Sequence, residues 1–169
     1  MLLQISHPSK NCKGSLNITG SKSETNRLLL LKALFKALEI DNVSNSDDSV
    51  AMTNALSTDS NYIDIRHAGT AMRFLTAFFS TQEGREVILT GSSRMQERPI
   101  GVLVDALRVI GAEITYEKTE GFPPLRIKGK VLKGGHVSLS ANISSQYISA
   151  LLLIAPKLEE GLNLLLEDK

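Results

Sequence analysis

A chain of 169 residues, 42% hydrophobic and 22% charged, has the makings of one globular domain, or of two small lobes, with a real core. A net charge of +1, 5% aromatic residues and no tryptophan exclude the basic, stacking surfaces of nucleic-acid binders and give no pull toward anionic membrane. One cysteine, Cys12, excludes an intrachain disulfide, and neither a signal peptide nor an apolar run long enough to span a bilayer stands out, so a cytoplasmic setting is expected.

In chain order, residues 2–5 and 15–19 are expected as short strands flanking a loop of Pro, Ser, Lys and Asn. Gly20-Ser21-Lys22-Ser23-Glu24-Thr25-Asn26-Arg27 then opens a helix running to residue 38, with Lys32 and Lys36 on its wet side. Ser21 and Glu24 have the spacing of a capping box, which makes Ser21 the N-cap and puts Lys22 and Ser23 in the first turn. A helix start leaves backbone N–H groups unpaired and carries partial positive charge. Lys22 adds a full charge there, and Ser23 and Arg27, four apart, share one helix face. A phosphate or carboxylate would find cations, a hydroxyl and amides together. A capped surface helix with solvated charges accounts for this stretch equally well.

Residues 39–43 alternate weakly as a strand. Ser46 caps a helix over 47–56, with Asp47 and Asp48 placed to favour its dipole. Residues 62–66 alternate cleanly as a half-buried strand. From His67-Ala68-Gly69-Thr70-Ala71-Met72-Arg73 the pattern is helical through residue 79. A strand over 86–90, a polar loop over 91–98 and a helix from Pro99 to residue 110, closed by Gly111, follow. Residues 113–116 read as a strand, 121–124 as a turn, and 125–128 and 136–139 as strands around Gly134-Gly135. Ser144 starts a helix over 145–154, and 162–166 is the last strand.

The order amounts to a repeat whose opening helices begin near Ser23, Thr70 and Ser145. Each begins with small polar residues and nearby cations, so under pseudo-symmetry the three starts would converge on one pocket. The third unit has one helix and one strand, which reads as the front part of a longer chain.

Four segments carry a resemblance: Gly20-Ser21-Lys22-Ser23 with Asn26-Arg27, Ala68-Gly69-Thr70-Ala71-Met72-Arg73, Arg94-Met95-Gln96-Glu97-Arg98-Pro99-Ile100, and Ser144-Ser145-Gln146-Tyr147. In this order the chain resembles the 5-enolpyruvylshikimate-3-phosphate (EPSP) synthase family, the 3-phosphoshikimate 1-carboxyvinyltransferases. The resemblance implies an α/β (α+β) fold: an inverse α/β-barrel-like lobe of repeated βαβαββ units, helices packed under sheets, incomplete here. Residues 1–13 would be leading strands of another lobe, and 14–169 the substrate-binding lobe, with two repeats and a shortened third. The implied reaction transfers the carboxyvinyl group of phosphoenolpyruvate to the 5-hydroxyl of shikimate 3-phosphate. The implied partners are those two substrates and the rest of the same enzyme, with no nucleic acid, membrane, metal or cofactor. The alternatives are transfer to UDP-N-acetylglucosamine, whose family typically carries a cysteine in the loop that is Gly91-Ser92-Ser93-Arg94 here, and a non-catalytic anion-binding lobe.

By the same resemblance Lys22 would contact both substrates and serve catalysis. Ser23 and Arg27 would hold the shikimate ring and carboxylate, and Ser144 and Ser145 its 3-phosphate. Gly69 would admit the phosphoenolpyruvate phosphate, Arg94 would clamp it, and Gln146 would bridge the two sites. His67 and Thr70 are further candidates. Plain roles stand beside these: solvated charges for Lys22 and Arg27, a turn for Gly69, helix caps for Ser144 and Ser145. Glu97 and Arg98 are expected to be structural at the helix start, and Asp47 and Asp48 to be first-turn acids and no catalytic pair. His67 replaces a common Asn and Phe74 a common Pro, and the short link between Leu56 and Tyr62 resembles a trimmed hairpin.

Overall fold

The computed structural model describes residues 3, 4, 6, 8, 11 and 13–167. Its helices are α1 (Lys22–Leu34), α2 (Asp47–Ser57), α3 (Gly69–Ser80), α4 (Ser93–Gln96), α5 (Gly101–Val109) and α6 (Ser145–Ile154), the last running into a 3-10 turn, Ala155–Lys157. Its strands are β1 (Tyr62–Asp64), β2 (Glu86–Thr90), β3 (Glu113–Tyr116), β4 (Leu125–Lys128), β5 (Gly135–Ser140) and β6 (Leu162–Glu167). A four-stranded sheet has the order β1-β2-β4-β3, with β1 parallel to β2 and the other pairs antiparallel. β5 and β6 form a separate parallel pair.

Helix α3 is the axis of the core. Every residue from Ala71 to Ser80 is buried, because its Phe, Leu, Met and Ala side chains leave no wet face. It packs on α1, α2, α5 and α6 and under β2 and β4, as helices beneath sheets should. The polar residues it buries bond back to the preceding turn: Thr76 donates to Met72 O and Ser80 to Thr76 O, each at 2.7 Å. Beside it, α1 is pinned to α2 where Ser49 Oγ donates to Asn26 Oδ1 at 2.9 Å, and to the following loop where Ser44 N donates to Thr25 Oγ1 at 3.0 Å. Among the described residues no helix is long and apolar enough to cross a membrane.

Four local expectations change. Residues 15–19 form no strand: Leu16 is 85% and Ile18 75% exposed, since alternation makes a strand only where another strand pairs with it. Residues 39–43 bend at Asn42, whose φ of +52° lies in the left-handed region and breaks the extended run. The loop over 91–98 contains α4, capped where Ser92 Oγ accepts the Met95 N–H at 3.3 Å. Helix α1 stops at Leu34, four residues short of the expected end. The expected strand over 2–5 includes Leu2 and Ile5, which lie outside the described residues, as does Cys12. Two elements are also trimmed: β1 ends at Asp64, before Arg66 with its left-handed φ of +53°, and α5 starts at Gly101, two residues past Pro99, and is closed by Gly111 with φ +104°.

Candidate anion site at three helix starts

Side chains in the first turns of α3 and α6 meet: Gln146 Nε2 donates to Thr70 Oγ1 at 3.3 Å. One turn deeper, Arg27 of α1 donates through Nη2 to Ser149 Oγ of α6 at 3.2 Å, and its guanidinium lies 5.4 Å from the ring centre of Phe74 in α3. These contacts bring the front halves of α1, α3 and α6 together. Each N-terminus carries roughly half a positive charge. Starts brought near one another in this way would repel, and an anion between them would relieve that repulsion.

The local chemistry differs from start to start. Ser21 Oγ accepts the Glu24 N–H at 3.5 Å, and Ser144 Oγ accepts the Gln146 N–H at 3.3 Å, so both cap as their positions predict. Helix α3 has Ala68 at its N-cap and no side-chain cap, which leaves its first N–H groups for another acceptor. Lys22 Nζ is 4.0 Å from Asp48 Oδ1, so the first turns of α1 and α2 face each other and the lysine has an acid close by. Arg27 Nη1 donates to Ser23 O at 2.8 Å, which fixes the guanidinium along the helix.

Next to the α3 start lies a cavity of about 500 Å³ lined by His67, Arg94, Met95 and Arg98. His67 Nδ1 and Ser92 Oγ are 2.8 Å apart, so the residue before α3 is tied to the cap of the α4 turn that carries Arg94. Gly69 is buried at the seam. A Cβ there would run into Arg98 Nη1 and lie 3.0 Å from Arg98 Cζ and 3.3 Å from Arg73 Nη1. A larger, more acidic cavity of about 620 Å³ opens on the other side of His67, between α2 and β1, with Asp47, Asp48 and Asp64 on its wall.

The site residues named from sequence thus fall into two neighbouring sets. Lys22, Ser23, Arg27, Ser144, Ser145 and Gln146 stand at the starts of α1 and α6, while His67, Gly69 and Arg94 stand around the arginine-lined cavity, with Thr70 bonded across to Gln146. Among the described residues no hydrogen bond joins Arg94 to α1 or α6. Sequence reasoning gave Arg98 a structural place and Arg73 none. The four-residue spacings Arg94 to Arg98 and Gly69 to Arg73 are the signals that could have marked them. Among the described residues no three His, Cys, Asp or Glu side chains gather as metal ligands would.

Charge pairs that displace pKa values lie on the sheet, away from this site. The hydrogen bond from Lys128, at 3.0 Å, holds the Glu113 carboxyl below its ordinary value. Hydrogen bonds to Glu117 and Glu86 raise Arg126.

Comparison with known proteins adds a family. Residues 52–168 match the family model of EPSP synthase (3-phosphoshikimate 1-carboxyvinyltransferase). The chain is similar to the 3-phosphoshikimate 1-carboxyvinyltransferase of Bacteroides fragilis, 50% identical over 161 residues, covering 95% of this chain and 39% of that protein. The enzyme of the same name from Pseudoalteromonas atlantica is 41% identical over 180 residues, covering 90% of this chain and 42% of its own. Among solved structures, an EPSP synthase from Acinetobacter baumannii shares the fold with a TM-score of 0.71 at 23% identity, over 86% of this chain and 38% of that one. The chain therefore spans about 39% of the length of the first relative.

Proposed function

The chain belongs to the EPSP synthase family, and from that premise we propose that it supplies the substrate-anion site of a 3-phosphoshikimate 1-carboxyvinyltransferase. The reaction moves the carboxyvinyl group of phosphoenolpyruvate onto the 5-hydroxyl of shikimate 3-phosphate, on the route to chorismate and the aromatic amino acids. The hydroxyl oxygen bonds to C2 of phosphoenolpyruvate as its proton leaves to a base and an acid protonates the methylene carbon. That carbon then gives up a proton, the C2–O bond to phosphate breaks, and inorganic phosphate departs.

The observation that carries the reading is the meeting of α3 and α6 at their first turns and of α1 with α6 one turn deeper, through the Gln146–Thr70 and Arg27–Ser149 bonds. Both substrates are anions, and bringing them together costs repulsion that fixed cations and helix-start amides offset without reorganising. In this reading Ser23 and Arg27 hold the shikimate ring and carboxylate, while Ser144 and Ser145 hold the 3-phosphate. Gly69 and Arg94 hold the phosphoenolpyruvate phosphate, with His67 beside them. Lys22 and Gln146 reach both, and Thr70 orients Gln146. Residues 14–169 form the substrate-binding lobe; the bare Leu16 and Ile18 support a covering neighbour there. The setting is cytoplasmic, where a lone cysteine stays reduced.

That the chain covers 39% of its relative favours a companion reading for the chain on its own: binding without turnover. Lys22 is committed to anions, and Asp47 and Asp48 serve as the first-turn acids of α2. The acid, the base and the closing lid come from the remainder of a full-length member. Phosphate release from the two substrates, measured with this chain beside a Lys22→Ala control, tests the division. No release above the control is expected, together with weak binding of shikimate 3-phosphate. Turnover above the control would mean that this lobe holds its own acid and base.

A further inference from the structure

Arg73 is a cation to which the chemistry above gives no task. It lies one turn into α3 and is only 6% exposed. Its Nη1 donates to Gly69 O at 2.7 Å, its guanidinium sits 5.4 Å from the centre of the Tyr147 ring, and its buried Nε has no partner. No carboxylate forms an ion pair with it among the described residues. A guanidinium taken out of water without a counter-charge is strongly disfavoured, and one carbonyl and an aromatic face offset only part of that.

The direction of its head group indicates what is absent. Arg73 Nη1 and Arg98 Nη1 both approach the spot that a side chain at residue 69 would fill. Two like charges brought to one point with no acid between them are the complement of an anion. Glycine at 69 leaves that point to the Arg98 head, which also walls the cavity with His67 and Arg94. The Tyr147 hydroxyl also donates to Pro99 O at 2.8 Å, next to Arg98, so the side chain under Arg73 fixes the backbone that carries the second guanidinium.

We propose that Arg73 is a positioning residue of the anion site: its counter-charge is the phosphate group held at Gly69, on which it acts from beneath through the Gly69 peptide. The inference rests on the anion-site reading above. Being desolvated and locked by Gly69 and Tyr147, Arg73 presents its field without rearranging when the anion arrives. A residue needed only for packing would lower stability when replaced and leave anion affinity alone. An uncompensated buried charge does the reverse, and the two are separable.

The test is thermal unfolding of the chain against rising inorganic phosphate, with chloride at equal ionic strength as reference, for wild type, Arg73→Met, Arg73→Gln, Arg73→Lys and Arg94→Ala. Ligand that binds only the folded state raises its stability by mass action. Wild type should gain stability with phosphate. Arg73→Met should melt no lower than wild type in chloride, yet need about ten times more phosphate for the same gain. Arg73→Gln, which keeps a donor for the Gly69 carbonyl, should lose affinity likewise, and Arg73→Lys should recover most of it. Unchanged phosphate affinity in both neutral variants, or failure of both to fold, gives Arg73 a packing role and overturns the inference. If Arg94→Ala abolishes the phosphate effect and Arg73→Met does not, the site reading stands and Arg73 leaves it. No phosphate effect in wild type removes the site reading, and this inference with it.

Discussion

Replacing Gly69 by alanine probes the seam between the two halves of the site. The backbone there has no left-handed φ, so alanine adopts it, and a helix position gains up to about 1 kcal/mol on leaving glycine. Against this stands the new methyl group. It would collide with Arg98 Nη1 and sit 3.3 Å from Arg73 Nη1. Arg98 is exposed and its head can swing away; Arg73 is buried and cannot. The two effects nearly cancel, so thermal stability should change by no more than about 1 kcal/mol. The site fares worse, because the displaced guanidinium and the methyl both take space that a phosphate would use. Losing one hydrogen bond to a charged group costs about 1.5–3 kcal/mol, or ten- to a hundred-fold in affinity. Chemical-shift titration of the chain with phosphoenolpyruvate and, separately, shikimate 3-phosphate is the assay. Phosphoenolpyruvate should weaken by that factor, while the other ligand, held by α1 and α6, stays nearly unchanged. Equal weakening of both, or of neither, would refute the placement of Gly69 beside one phosphate only.

Two further predictions concern stability. Ser49→Ala removes the hydroxyl that satisfies Asn26 Oδ1 in a spot where Asn26 Nδ2 already lacks a partner, so it should cost about 1–3 kcal/mol by denaturant titration; a loss within error would mean that water reaches the amide. The Glu113–Lys128 pair should contribute stability above the ordinary glutamate range and lose it as pH falls through the lowered folded pKa, since the unfolded chain then binds the extra proton. Glu113→Gln should therefore flatten the acid side of the stability curve, and an unchanged slope there would show that the pair contributes nothing.

How much of this was legible in the sequence depends on how local each cause is. The starts of α1, α2 and α6 were readable because a serine cap acts within three residues of its own position, as the Ser21, Ser46 and Ser144 bonds do. Alternation in residues 15–19 carries no strand because a partner elsewhere in the chain decides pairing, and in 39–43 the left-handed Asn42 ends the extended run. Helix α4 is four residues long, too short for any periodic pattern to register. Packing of α1 and α6 on α3 follows the repeat, since equivalent elements tend to pack equivalently. Arg73 could not be anticipated: in the sequence it is one more cation of a polar-looking motif, and only tertiary packing makes it buried, unpaired and aimed at Gly69.

Because α3 is enclosed along nearly its whole length, it has no surface side on which to absorb a change in volume. A larger or smaller residue in its middle, such as at Phe74 or Leu75, must be accommodated by the helix sliding or rolling within its sheath. That motion would carry Gly69, the first residue of α3, with it. Were the proposed anion held at Gly69, such a shift would reach it from positions that never meet the ligand, and the core of this lobe would act as a fine adjustment on its mouth. Variation arising deep in α3 would then change discrimination between anions of similar charge and different bulk before it changed folding.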